Sequence, residues 1–196
     1  MTERDHRPQN ESATHFRLKR MGRHILWGMG CWAVTYEFYL AKIYRENCTP
    51  GRAHRTTADL AGIMATRVNN TKLGLFGRHL GLVVAECKAT VGDLRAGMIT
   101  KGGHWHYALV PEKLAAEAVG ILPKWVGVLG VDMEDRTAKS YHYTRLRTAR
   151  PARRQDDAVV PLWSREASLQ QAPDGWVPVL MQFACGQTRY ALRWRA

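Results

Sequence analysis

The apolar run Leu82-Val83-Val84-Ala85 passes directly into Glu86-Cys87-Lys88, and this junction limits the chain more than any other stretch. The β-branched composition predicts a strong strand from Leu82 to about Ala89. A strand sends alternate side chains to opposite faces, so Glu86 and Lys88 would share one face while Cys87 points to the other. A carboxylate and an ammonium group then stand side by side. Asp59 lies on an earlier short apolar segment. If that segment pairs beside the Glu86 strand, a second carboxylate joins the first, and two hard oxygen ligands with waters are what a magnesium ion accepts.

The flanking sequence supplies the rest of the sheet. Residues 1–14 lack apolar periodicity and read as a polar arm. A helix is expected from His15 to about Met29, with Thr14 as its cap and Gly28 and Gly30 at its end. Phe16, Met21, Ile25 and Leu26 form its apolar side, and Arg17, Lys19, Arg20 and Arg23 its basic rim. Cys31 to Leu40 is aromatic and β-branched enough for a strand, and Thr49-Pro50-Gly51 breaks the chain. Ala58 to Met64 suits a second strand or a helix. Thr66 to Gly81, with Asn69-Asn70 and three glycines, reads as a turn or inserted loop, or a hairpin, before the strong strand.

Downstream, a helix is expected from Val91 to about Thr100, stopped by Lys101-Gly102-Gly103, then a strand from Trp105 to Val110 ended by Pro111. Glu112 to Val119 is an alanine-rich helix, and Trp125 to Val131 a last buried strand. Strands followed by strand-helix-strand predict an α/β fold with a mixed central sheet flanked by helices, a single domain with residues 15–144 as its core. Residues 145–196 read as a basic connector followed by a C-terminal extension, with a helix through Val179, Leu180, Phe183, Ala184 and Leu192.

The 196 residues suffice for one compact core. With 45% hydrophobic and 23% charged residues, the composition is globular and excludes a wholly disordered chain. The charge of +12 favours a polyanionic partner, because each phosphate contact releases condensed counterions. Arg145, Arg147, Arg150, Arg153 and Arg154 are the candidate nucleic-acid contacts, and Tyr141-His142-Tyr143 is either a stacking edge for single strands or a partly buried edge strand. Cys31, Cys48, Cys87 and Cys185 make no CxxC pair, which fits a reduced cytoplasm and not a zinc finger. No stretch approaches the ~18 apolar residues of a membrane span, so no membrane partner is expected. His104 and His106 share a strand face, which permits a two-histidine metal site, but no third soft ligand has suitable spacing and a structural role is the simpler reading.

Taken in order, Glu37, Asp59, Glu86-Cys87-Lys88 and the helix after them resemble the PD-(D/E)XK nuclease superfamily, and most closely its MmcB-like branch of DNA-repair-associated and phage-encoded proteins. The resemblance covers roughly residues 32–132 through TYEFYL, TTADLAGI, VVAECKATVGDLRAG, HYALVP and ILPKWVGVLGVD. Thr90 and Asp93 take the places of its S-x-x-D-like helix, while Thr57 stands where a basic residue is usual. The resemblance implies a restriction-endonuclease-like core and a metal-dependent DNA endonuclease or repair nuclease. Asp59, Glu86 and the Cys87 carbonyl would hold Mg2+, for which Mn2+ substitutes. Lys88 would orient or help deprotonate the attacking water, and Glu37 would complete the outer acid position. Structured or damaged DNA is the implied substrate, with a repair or phage protein partner and a homodimer as further associations. The alternative is a catalytically inactive nuclease-fold protein that binds DNA or a partner.

Overall fold

The computed structural model describes residues 12–39, 57–70, 75–98, 102–134, 146–155, 163–164 and 176–193. Helix α1, Ala13–Gly28, starts at Ser12, whose backbone is extended and whose hydroxyl accepts the His15 amide at 3.2 Å. The cap therefore falls two residues before Thr14, which lies exposed in the first turn. Past the helix end, Gly30 takes φ 95°, a left-handed conformation that glycine adopts without a Cβ clash.

Three antiparallel strands follow: β1, Cys31–Tyr39; β2, Thr57–Asn70; and β3, Leu75–Cys87. Ala58 to Met64, which suited either a strand or a helix, belongs to β2. The stretch expected as a loop from Thr66 to Gly81 is mostly strand. Pairing from Leu60 with Ala85 to Asn70 with Leu75 draws even the two asparagines into the ladder, leaving residues 71–74 as the connection, outside the described residues. Cross-strand pairing overrides the weak strand preference of Asn and Gly here.

Helix α2 is only Val91–Arg95, because Gly97, at φ 88°, ends it earlier than the expected stop at Gly102-Gly103. Strand β4, Trp105–Pro111, runs parallel to β3, and β5, Gly127–Val131, parallel to β4, with a short 3-10 turn and α3, Ala115–Ile121, between them. The basic stretch read as a connector contains a further antiparallel strand, β6, Leu146–Arg150, paired with β5. The two-residue strand β7, Trp163–Ser164, pairs with β3 at His79 and Leu80, beyond the reach of β4. The six-strand mixed sheet therefore runs β1-β2-β3-β4-β5-β6, with β7 beside β3. Helix α4, Trp176–Arg193, closes the described chain.

The two sheet faces have different covers. Leu18, Met21, Ile25 and Leu26 of α1 pack on Val34, Leu60, Val83, Ala85, Cys87, Leu109 and Leu129. On the other face, Trp176, Val179 and Phe183 of α4 meet Phe38, Ile63, Leu82 and Val84, while α2 and α3 cover Ala108, Val110 and Val128 through Leu94, Ala115 and Ala118. Burying each large side chain contributes roughly 1.5–3 kcal/mol, enough to hold α1, which at 16 residues would be marginal alone. No helix among the described residues is long and apolar enough to cross a membrane.

Candidate active site

Asp59 lies near the start of β2, where that strand meets the end of β3. Its Oδ2 accepts the Cys87 amide at 2.8 Å and lies 3.2 Å from His15 Nε2, and its Oδ1 is 3.2 Å from Lys19 Nζ. Lys19 also contacts the Glu37 carboxylate, so one ammonium bridges two acids from neighbouring strands. Lys19, expected on an outward basic rim, is instead turned to the sheet.

Local backbone distortion makes this possible. The register pairs Tyr36 with Leu60 and Phe38 with Ala58, which leaves Glu37 opposite Asp59. A regular strand would send Tyr36 and Glu37 to opposite faces. Tyr36 packs on the α1 cluster, yet Glu37 reaches Lys19 of the same helix. Likewise Leu60 comes against α1 at Gly22 while its neighbour Asp59 bonds to His15 and Lys19. Glu37 takes φ 51°, a conformation uncommon for a residue with a Cβ and costing about 1–3 kcal/mol. The observed consequence is that two carboxylates face one helix.

Burial by itself would raise the pKa of Asp59. The His15 hydrogen bond, the Lys19 charge, the His15 charge and the Cys87 amide outweigh it, and the net effect holds the carboxyl below its ordinary value. Asp59 is thereby a carboxylate at neutral pH.

Glu86 and Lys88 do form the side-by-side pair expected of them, with Lys88 Nζ 2.7 Å from Glu86 Oε2. Both are largely buried. Their face is not that of Asp59. In the parallel β3–β4 pair, Cys87 is in register with Leu109 on the α1 side, and Glu86 with Ala108 on the side covered by α2 and α3. The sequence expectation of Asp59 and Glu86 on a shared face is thus corrected: the two acids leave the sheet from opposite faces. Asp59 is tied to the triplet through the backbone, by the Cys87 amide that lies between Glu86 and Lys88 in the chain.

The ligand atoms of His15, Asp59 and Cys87 all lie within 4.8 Å of one another. Sequence reasoning missed His15 and Lys19. Their i, i+4 spacing places them on one face of α1, but nothing in the sequence says which strand acid that face meets. Cys31 and Cys87 are both buried in the same apolar cluster, and burial pushes the Cys31 pKa up to about 12, which keeps that thiol protonated.

Other singled-out residues take structural roles. Thr90 and Asp93 form a reciprocal capping box for α2, with the Asp93 amide donating to Thr90 Oγ1 at 3.1 Å and the Thr90 amide to Asp93 Oδ2 at 3.0 Å. His104 Nδ1 accepts the Leu82 amide at 3.0 Å, and His106 Nε2 lies 3.0 Å from the Gly103 carbonyl, so the buried histidines serve the backbone. The Arg150 guanidinium donates to the carbonyls of Val126, Val119, Leu122 and Pro123 at 2.7–3.2 Å, clamping the end of α3 instead of facing outward as expected. Arg153 is exposed and Arg154 half-buried. Arg147 contributes its backbone to β6, while Arg145 and Tyr141-His142-Tyr143 lie outside the described residues.

Comparison with protein-family models, with curated proteins and with solved structures gives no match.

Proposed function

We propose that the chain is a phosphodiester hydrolase acting on DNA, working at the end of β3. The observation that carries this reading is the contact of Asp59 with the amide inside the Glu86-Cys87-Lys88 triplet, at 2.8 Å. Residues far apart in sequence meet at one strand end, in the order along β1, β2, β3 and α2 that the resemblance to the PD-(D/E)XK superfamily implies. Phosphodiester hydrolysis needs fixed carboxylates and positive charge aimed at the scissile phosphate. Asp59 and Glu37 supply acid on the α1 face, Glu86 supplies it at the same strand end, and Lys88 carries the cation beside Glu86. The excess of 29 Lys+Arg over 17 Asp+Glu draws DNA to the molecule. A cytoplasmic setting, a repair or phage-encoded protein partner and a second copy of the chain belong to the same reading.

Magnesium or manganese is the ion that the resemblance implies, and the arrangement does not fit one held jointly by Asp59 and Glu86. The two carboxylates leave opposite faces of the sheet. Capacity for a cation lies instead with Asp59 and its neighbours on the α1 face.

A second reading, binding to DNA without cutting, is favoured by Lys19, whose ammonium already pairs with both Glu37 and Asp59. A panel of single-stranded, duplex, flapped and four-way DNA separates the two readings, run with magnesium, manganese, zinc or EDTA. Hydrolysis predicts product on at least one form with an ion and none with EDTA, with Lys88→Ala reducing product while binding persists. Salt-sensitive binding with no product under any condition overturns the hydrolase and leaves the binding module.

A further inference from the structure

We infer that His15, Asp59 and Cys87 form a binding site for a divalent ion of the zinc class, with three protein ligands and one position open to solvent. The inference stands on the donor set and does not rest on hydrolysis of DNA. An imidazole, a carboxylate and a thiol, from α1, β2 and β3 respectively, place their ligand atoms within 4.8 Å of one another. Zinc is bound by these groups at about 2.0–2.3 Å, typically with tetrahedral geometry. The three ligand atoms draw together on binding.

The framework around the ligands is fixed. The Cys87 amide holds Asp59 Oδ2 at 2.8 Å, which locks the carboxylate against the strand that carries the thiol. His15 stands in the first turn of a helix capped by Ser12, and Nε2 is the ring atom that already faces Asp59 at 3.2 Å. Lys19 engages Oδ1, and Oδ2 is the oxygen that faces His15 Nε2 and the strand of Cys87.

Charge and ligand type agree on the class of ion. A thiolate and a carboxylate together offset the two charges of the cation, and the proton released from Cys87 goes to solvent on binding. Thiolate and imidazole prefer zinc or cobalt, whereas magnesium takes hard oxygen donors and keeps its waters. The His15 and Asp59 side chains retain 24% and 18% exposure while Cys87 is buried, so solvent reaches the cluster from the His15 and Asp59 side.

Cobalt titration of the full chain, stripped with chelator and kept in excess magnesium, tests the site by absorbance without DNA. We expect a thiolate-to-cobalt charge-transfer band that saturates at one equivalent and is displaced by zinc. Cys87→Ser should abolish the band, His15→Ala should weaken cobalt binding by at least about tenfold, and Cys31→Ser should retain the band. Circular dichroism verifies that each variant folds, and His15→Ala, at a half-buried position in the first turn of α1, carries the test if Cys87→Ser does not. No band in the wild-type chain, a band that survives Cys87→Ser, or unchanged affinity in His15→Ala overturns the site. Cobalt binding without DNA cleavage counts against the hydrolase alone.

Discussion

Asp59 shows how one side chain is set by partners that sequence spacing does not reveal. Its pKa lies below the unfolded value of about 3.9, so the unfolded chain takes up its proton first as pH falls. The stability this supplies is complete above about pH 4 and is lost as pH drops through the lower folded pKa. Urea midpoints followed from neutral pH to about pH 3 should therefore fall less steeply for Asp59→Asn than for the wild-type chain, and the variant should be weaker by about 2 kcal/mol at pH 7. Arg150 makes the opposite point, since a residue in a basic stretch is used inside the fold. Arg150→Lys cannot reproduce a fork that reaches four carbonyls. It should lose about 1–3 kcal/mol in urea unfolding with little change in DNA affinity. Equal stability of the variant would contradict the clamp.

At the scale of elements, the seating of α1 on the sheet decides where His15 and Lys19 arrive. Gly22 permits it: a Cβ there would lie 2.5 Å from Leu60 Cδ1 and 2.6 Å from Leu109 Cδ1, both side chains fully buried. Gly22→Ala gains up to about 1 kcal/mol of helix propensity, but crowding in a packed core costs about 1–3 kcal/mol. We expect a net loss of thermal stability, measured by calorimetry, because Leu60 belongs to the strand that carries Asp59. Strand types were largely legible: Cys31–Tyr39, Trp105–Pro111 and the apolar half of β3 carry side chains that favour a pleated, buried surface. The far half of the β2–β3 hairpin was not, since Asn69, Asn70 and the glycines are held in strand by pairing across the ladder and not by their own preferences. Thr90 and Asp93 read as part of a nuclease pattern, and their geometry is that of a helix cap. Thr90→Ala should accordingly cost about 1 kcal/mol of stability, read from the urea midpoint.

Across the whole molecule, the mixed sheet flanked by helices follows from the order of elements in the sequence. The site follows only in part. Glu86 and Lys88 pair as strand alternation requires, and Asp59 reaches the same strand end, but Asp59 is held on the α1 face by Lys19 and His15, away from the face of Glu86. Alternation assumes regular strands, and the left-handed backbone at Glu37 departs from that beside the acids. With a charge of +12, DNA affinity should fall steeply with salt, and the slope of log affinity against log salt should be shallower by about 1 for each phosphate-contacting cation removed, Arg153→Ala being the first to measure. The most direct test of the central claim is cleavage of labelled DNA by the wild-type chain and by Asp59→Asn in the same divalent-ion series, with DNA affinity measured in parallel. Product is expected from the wild type and a loss of at least about a hundredfold in the variant, in the range of a removed transition-state contact, at nearly unchanged affinity. Equal cleavage by both proteins, or none by the wild type with any ion, would contradict it.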